Sequence, residues 1–365
     1  VTGADVLDPD AVGAATAGWL AGRLGTEVRL AEPPSRLGGG QDTTIHLVRF
    51  AGDGLPDEWA RPLVVRIHPS PGRLDRARRE AAIQAFCADR GYPCPRVLVT
   101  LAPGELLPLP VQLVERVPGV TMLAAVTGRP WSVARRLDTL GRLHARLHAL
   151  PLDGFPVTGE GTRQQARGRL NLPRDVVADR GAHVAGLAVA LGRVEALVPR
   201  LDRDELAVCH NDYHPLNVLV DGAEAHVVDW TDAGPGDPHG DVARLLVLLR
   251  AAAAGAPRAP GRALLRVAEP WVVRRYLRAY RRAAPTPLDP ERLALWEPVQ
   301  LVHDWARAAL IAGLGEERPD GPAAGGPGDP GGHIDRRVGE RVVAWCRERF
   351  GEAISAADGH PPPAG

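Results

Sequence analysis

Lysine is absent from all 365 residues, so each of the 44 basic residues is an arginine. Any clamp for a phosphate must therefore be built from guanidinium groups, a backbone nest or a metal ion. An excess of charge is missing too, since 44 acidic residues balance the 44 arginines. Nothing in that balance calls for a nucleic acid or a membrane surface as partner. Cysteine is scarce: Cys87, Cys94, Cys209 and Cys346 form no C-x-x-C pair. That removes the zinc ribbon and the dithiol redox motif, and it agrees with a reducing compartment. The first residues carry Asp5, Asp8 and Asp10. They lack the basic start and apolar run of a signal peptide, so the expected location is cytoplasmic. The most apolar stretch, residues 242–256, is interrupted by Arg244 and Arg250. It is too short to span a bilayer and reads as a buried helix.

What is present has the balance of a globular protein: 45% hydrophobic and 24% charged residues, with length enough for two cores. Apolar spacing predicts a helix over residues 10–24. Strands are expected at 28–30, 43–50, 63–67, 97–101 and 111–117, with a helix over 74–89 and a turn-rich insertion at 52–62. Pro118-Gly119 then breaks the pattern. Helical segments dominate afterwards, at 133–150, within 163–201, and at 242–253, 271–284, 291–314 and 336–350. A strand-loop-strand island at 207–230 interrupts them. Residues 316–332 are rich in Pro and Gly and read as a mobile loop, and the tail from 359 reads as disordered. The order of elements implies an α+β protein, with a small β lobe followed by a larger helical lobe.

The chemistry is concentrated in the island. His210-Asn211-Asp212-Tyr213-His214-Pro215-Leu216-Asn217 is followed by Val227-Val228-Asp229-Trp230. Asp212 and Asn217 have the D-x-x-x-x-N spacing of a phosphoryl-transfer loop. Such a reaction needs one carboxylate to meet the acceptor hydroxyl. It also needs an amide oxygen and a second carboxylate to hold the metal that neutralises a triphosphate. Two other readings use the same residues. His210, Asp212 and His214 alternate, and on a strand they would face one way as metal ligands. The segment could also be a polar turn with satisfied hydrogen bonds.

The ordered set resembles the aminoglycoside phosphotransferase family, a branch of the protein-kinase-like fold. Members of that family typically show His-Gly-Asp, His-Pro, Asn and then a strand ending in Asp-Trp or Asp-Phe. This chain has His210-Asn211-Asp212, His214-Pro215, Asn217 and Asp229-Trp230. Gly236-Asp237-Pro238 and Asp241-Val242-Ala243 resemble the family downstream, and Leu140-Gly141-Arg142-Leu143-His144 with Leu147-His148 does so upstream. The match of motifs runs over about residues 28–310. The resemblance implies a bilobal fold with a small, mostly antiparallel β lobe and a larger helical lobe. Residues 1–117 would bind nucleotide and 118–358 would carry catalysis and the acceptor, with 359–365 as a tail. It implies Asp212 as catalytic base, Asn217 and Asp229 as Mg2+ ligands, Asp241 as a tie for the loop and His210 as a brace. It implies ATP or GTP as donor and a hydroxylated small molecule as acceptor: an aminoglycoside-like antibiotic, a sugar, an amino alcohol or another metabolite.

On the nucleotide side, Gly38, Gly39 and Gly40 let backbone N–H groups approach phosphate oxygens without a Cβ in the way. A plain hairpin turn fits the same triplet. Arg66 stands where kinases carry a strand lysine, with Glu80 on the next helix as its expected partner. Glu115 and Val117 are the expected backbone contacts for the purine. On the acceptor side, Asp232, Asp237, Glu269, Glu297 and Asp304 could greet a cation, and Trp271, Trp296 and Trp305 could stack on one; core and surface roles are open to each. Arg66 and Asn211 both depart from the commonest pattern, which leaves a second function in play: a nucleotide-binding pseudokinase or scaffold without turnover.

Overall fold

The computed structural model describes residues 8–38, 43–157, 161–202, 205–256, 259–314 and 336–357. In chain order the first elements are α1 (Pro9–Leu24), β1 (Arg29–Leu30), β2 (Ser35–Leu37), β3 (Thr44–Val48), β4 (Phe50–Ala51) and α2 (Asp57–Ala60). Then come β5 (Leu63–Ile67), α3 (Leu74–Asp89), β6 (Val97–Leu101), β7 (Val111–Glu115) and β8 (Val120–Thr121). The remainder is α4 (Met122–Gly128), α5 (Val133–His148), α6 (Thr162–Arg180), α7 (Ala185–Leu197), β9 (Ala207–Cys209), β10 (Val218–Asp221), β11 (Glu224–Val227), β12 (Gly234–Gly236), α8 (Pro238–Gly255), α9 (Ala259–Ala283), α10 (Pro290–Ile311) and α11 (Arg336–Ala357). Segments 316–332 and 359–365, read above as mobile loop and tail, lie outside the described residues.

The chain divides into two units. The first holds Val1–Thr121 and also Val218–Asp232. It is not one continuous stretch, because β10 pairs antiparallel with both β11 and β8 and so brings the Asp229 hairpin to this unit. Its main sheet has five strands in the order β2-β3-β5-β7-β6, with each pairing antiparallel. Strand β5 shows why. Leu63, Val65 and Ile67 alternate onto a core shared with Val12, Ala17 and Leu20 of α1. Arg66 is thereby turned to the opposite face, in register with Gln112. That face receives α3, where the Gln112 amide donates to Ala77 O at 2.9 Å. Helix α1 starts at Asp8, whose side chain accepts from Asp10 N, and stops at Gly25 with φ +66°.

The second unit holds Met122–Asn217 and Ala233–Gly326 with the C-terminal helix. Its core is formed by α6, α7, α8, α10 and α11 around Leu170, Leu187, Val194, Trp296, Leu301 and Trp305. Residues 162–201 are the one described stretch long and apolar enough to cross a membrane by composition; 242–256, expected to be too short for that, is not among such stretches. Its buried side chains belong to this core, and a turn of 3-10 helix at Gly181–Val184 interrupts it. Helix α9 packs on α5 and also on α8. A Cβ on Gly141 would lie 2.8 Å from Tyr276 O, Tyr280 N and Ala279 Cβ. The absence of a side chain there sets how closely α5 and α9 approach.

The Gly141→Ala variant should therefore lose about 1–3 kcal/mol of stability through overpacking. Gly192→Ala, in α7 with nothing within 4 Å of the added carbon, should be neutral or gain up to about 1 kcal/mol. Denaturant unfolding of the two variants side by side checks the contrast; equal effects would contradict it.

Candidate active site

The island's loop, residues 210–217, leaves β9, which is paired with β12. It is a loop and not a strand, so the alternating His210-Asp212-His214 face does not exist. His210 is fully buried against Tyr213, with ring centroids 5.9 Å apart. Asn211 has φ +63°. That left-handed conformation favours glycine and is tolerated by asparagine, which accounts for Asn211 where the resembling family has glycine. Gln165 of α6 donates to Asn211 Oδ1 at 2.7 Å and accepts from Asp237 N at 2.7 Å, bracing the turn.

The loop hangs on Asp241, in the first turn of α8. Its fully buried carboxylate accepts the His210 N–H at 2.6 Å and the Asn211 N–H at 2.9 Å. The Nε2 atoms of His144 and His148 each lie 3.2 Å from its Oδ2. On the far side of each ring a tyrosine hydroxyl meets Nδ1, Tyr276 at 2.8 Å and Tyr280 at 2.6 Å. Burial alone would raise the Asp241 carboxyl. The two histidines facing it outweigh burial and hold it well below the usual range. Burial first, then the neighbouring His148, pushes His144 down to about 4. Tyr213 stacks on His144 at 4.0 Å and donates to Leu140 O, joining the loop to α5.

Asp212 keeps 24% of its side chain exposed. Its Oδ1 accepts from Arg244 Nε at 3.3 Å and Nη2 at 3.2 Å. Its Oδ2 lies 3.2 Å from His214 Nε2 and 3.5 Å from Asn217 Nδ2. Burial pushes this carboxyl up, but the His214 hydrogen bond and the charges of Arg244, His214 and Arg169 hold it well below its ordinary value. Asn217 Nδ2 also donates to Asp212 O at 3.0 Å. The amide nitrogen is thus used inward, and Oδ1 has no hydrogen bond among the described residues.

The first unit assembles the nucleotide-side candidates. Arg66 donates to Glu80, to Thr43 Oγ1 at 3.3 Å, to Thr231 Oγ1 at 3.2 Å and to Asp229 Oδ1 at 3.5 Å. Glu80 is buried, whereas Asp229 has 48% of its side chain exposed and a left-handed φ of +63°. Trp230 anchors that turn: it is fully buried, edge-on to Tyr92, and its indole donates to Val227 O at 3.1 Å. Beside Arg66 a cavity of about 20 Å³ is lined by Thr43, His68, Arg73, Arg76, Glu80 and Thr231. Burial, then the charge of Arg66 with Arg73 and Arg76 adding, pushes His68 down to about 4. The glycine triplet joins the paired strands β2 and β3. Gly38 is exposed, with nothing within 4 Å of a Cβ placed there, and Gly39 and Gly40 lie outside the described residues. Glu115 ends β7. Its N–H is donated to Arg96 O at 2.8 Å and its carboxylate meets Arg61 at 3.3 Å.

All five acids considered for a cationic acceptor are matched with arginines. Asp232 meets Arg76, Asp237 meets Arg292, Glu269 and Glu297 meet Arg250, and Asp304 meets Arg244. Trp296 and Trp305 are core residues, while Trp271 is exposed. Arg244 itself escaped the sequence reading. The signal was a charge inside an apolar helical run, which demands buried partners.

The phosphotransferase enzyme family, APH, matches residues 37–296. No curated protein matches the chain. Among solved structures, a thermostable mutant of the aminoglycoside phosphotransferase APH(4)-Ia, in ternary complex with ADP and hygromycin B, is 16% identical, with TM-score 0.59 over 94% of this chain and 98% of that one. A choline/ethanolamine kinase family protein from Mesorhizobium loti is 20% identical, with TM-score 0.54 over 90% and 92%. Aminoglycoside-3'-phosphotransferase of type VIII is 23% identical, with TM-score 0.52 over 79% and 98%. These likenesses show an α+β protein-kinase-like fold.

The buried histidines set a pH dependence. Burial, with nearby Arg169 and Arg244, also pushes His303 down to about 4. His68, His144 and His303 thus stay neutral in the folded chain below the ordinary 6.5 at which they would charge when unfolded. Their contribution is present in full above 6.5 and is lost as pH falls toward about 4. At ~1.4 kcal/mol per pH unit, each should remove about 2 kcal/mol by pH 5. Urea midpoints measured from pH 7.5 to 5 should fall steadily; a flat profile would contradict neutral burial.

Proposed function

Because the chain belongs to the phosphotransferase enzyme family, we propose that it moves the γ-phosphoryl group of ATP or GTP to a hydroxyl of a small molecule, with Asp212 as the base. The observation that carries this reading is the hold on Asp212: a carboxylate kept ionised, partly exposed and fixed by Arg244, His214 and Asn217. Phosphoryl transfer passes through a loose transition state, so the base has to orient the acceptor hydroxyl more than strip it early. A carboxylate of low basicity suits that task. Asn217 Oδ1 and the exposed Asp229 carboxylate are hard oxygen donors of the kind Mg2+ takes. Each would be a ligand for the ion, which when bound supplies charge neutralisation for the triphosphate.

Arg66, oriented by Glu80 and Thr43, is the phosphate clamp in this reading, aided by backbone N–H groups of Gly38, Gly39 and Gly40. The Glu115 carbonyl and the Val117 N–H serve the purine. The ADP and hygromycin B held by the APH(4)-Ia relative support a nucleotide together with a hydroxylated small molecule. The matching of all five candidate acids with arginines argues against a highly cationic acceptor. The two departures that raised a pseudokinase are both accommodated: Asn211 fills a left-handed position and Arg66 forms its ion pair with Glu80.

Asp212→Ala should lower acceptor-dependent nucleoside diphosphate release by at least ~100-fold, the lower range for losing a general base. Nucleotide affinity measured by calorimetry should change less than threefold. Turnover retained in that variant would remove Asp212 from the mechanism.

A further inference from the structure

Arg244 is 1% exposed, one helical turn beyond Asp241 on α8. The start of one helix therefore reaches the loop twice. Asp241 takes the backbone amides of His210 and Asn211, and Arg244 takes the side chain of Asp212. The guanidinium fork presents Nε and Nη2 to Asp212 Oδ1, and Nη1 donates to Asp304 of α10, itself buried. With Oδ2 facing His214 and Asn217, turning the carboxylate about its own bond would break contacts on both oxygens at once. A buried ion pair is weak as a source of stability, since apolar residues of similar volume often serve as well. Here the cation lies instead between a structural acid and the acid assigned to the chemistry.

We propose that Arg244, held by Asp304, is a positioning residue that fixes the orientation of the Asp212 carboxylate toward the acceptor hydroxyl. This rests on the phosphotransferase reading of Asp212. Asp304 is then a support for the base rather than a contact for the acceptor. A lysine at position 244 would not replace the arginine, because an ammonium cannot offer two parallel donors to one carboxylate while holding a second.

The test is the double variant Arg244→Met with Asp304→Leu, which keeps the volume and removes both charges. Its melting temperature should stay near that of the wild type and its nucleotide affinity within threefold. Acceptor-dependent kcat should fall 10- to 100-fold with little change in acceptor KM. Wild-type kcat in the folded double variant would overturn the proposal. Should the double variant fail to fold, Asp304→Asn keeps the shape of the site and should still lower kcat several-fold at unchanged KM; an unchanged kcat there would overturn it equally. Crystal structures of the wild type and the variant that folds give a readout free of turnover. Asp212 should leave its single rotamer when the support is removed, and an unmoved, well-ordered Asp212 would overturn the proposal. A wild-type protein without turnover on any acceptor would instead count against the phosphotransferase reading, while the crystallographic comparison still decides the role of Arg244.

Discussion

The second unit depends on the burial of one carboxylate. Asp241 has no contact with water, and an anion in that setting costs several kcal/mol unless donors surround it. Two backbone N–H groups of the island's loop and two histidines of α5 meet it. The rest follows as constraint. The His210 and Asn211 amides must point at α8, which turns Asn211 into the left-handed region and delivers Asp212 at the next residue. The histidines must point at the same oxygen, which the tyrosines of α9 secure from behind. Those tyrosines reach the rings only because Gly141 lets α9 come close.

The first unit answers a different constraint, the absence of lysine. A guanidinium has five donors in a fixed plane, whereas an ammonium has three on a flexible stem. Arg66 uses that breadth to touch Thr43, Glu80, Thr231 and Asp229 together. Strand alternation places it there: with Leu63, Val65 and Ile67 in the core, position 66 has to face α3 and Glu80. The arginine is thus built into the sheet face rather than solvated at an edge.

Much of this was legible from residue order. The long helices and four of the five strands of the main sheet, β3, β5, β6 and β7, were readable because their apolar periodicity runs for several turns or pleats. Strands β2, β8 and β12 have two or three residues each, too few for alternation to show. Helix α9 begins at Ala259, well before residue 271, because Pro270 inside the helix looks like a boundary. Asp212, Asn217 and Asp229 stood out because their spacing is local. The partners of Arg244 lie 32 and 60 residues away, at Asp212 and Asp304, and no local pattern links them. The arginine partners of the acids offered for a cationic acceptor were hidden for a related reason: sequence shows a carboxylate but not the arginine beside it.

The proposed reaction carries the γ-phosphoryl group of ATP or GTP to a small hydroxylated acceptor. The most direct measurement follows label from γ-labelled ATP or GTP, with magnesium, across a panel of hydroxylated small molecules and a panel of protein substrates. The account predicts label in a stable phosphate ester of a small molecule, formed at a rate that rises with acceptor concentration. Label found on protein side chains instead, or a protein that neither binds nucleotide nor transfers label, would contradict it.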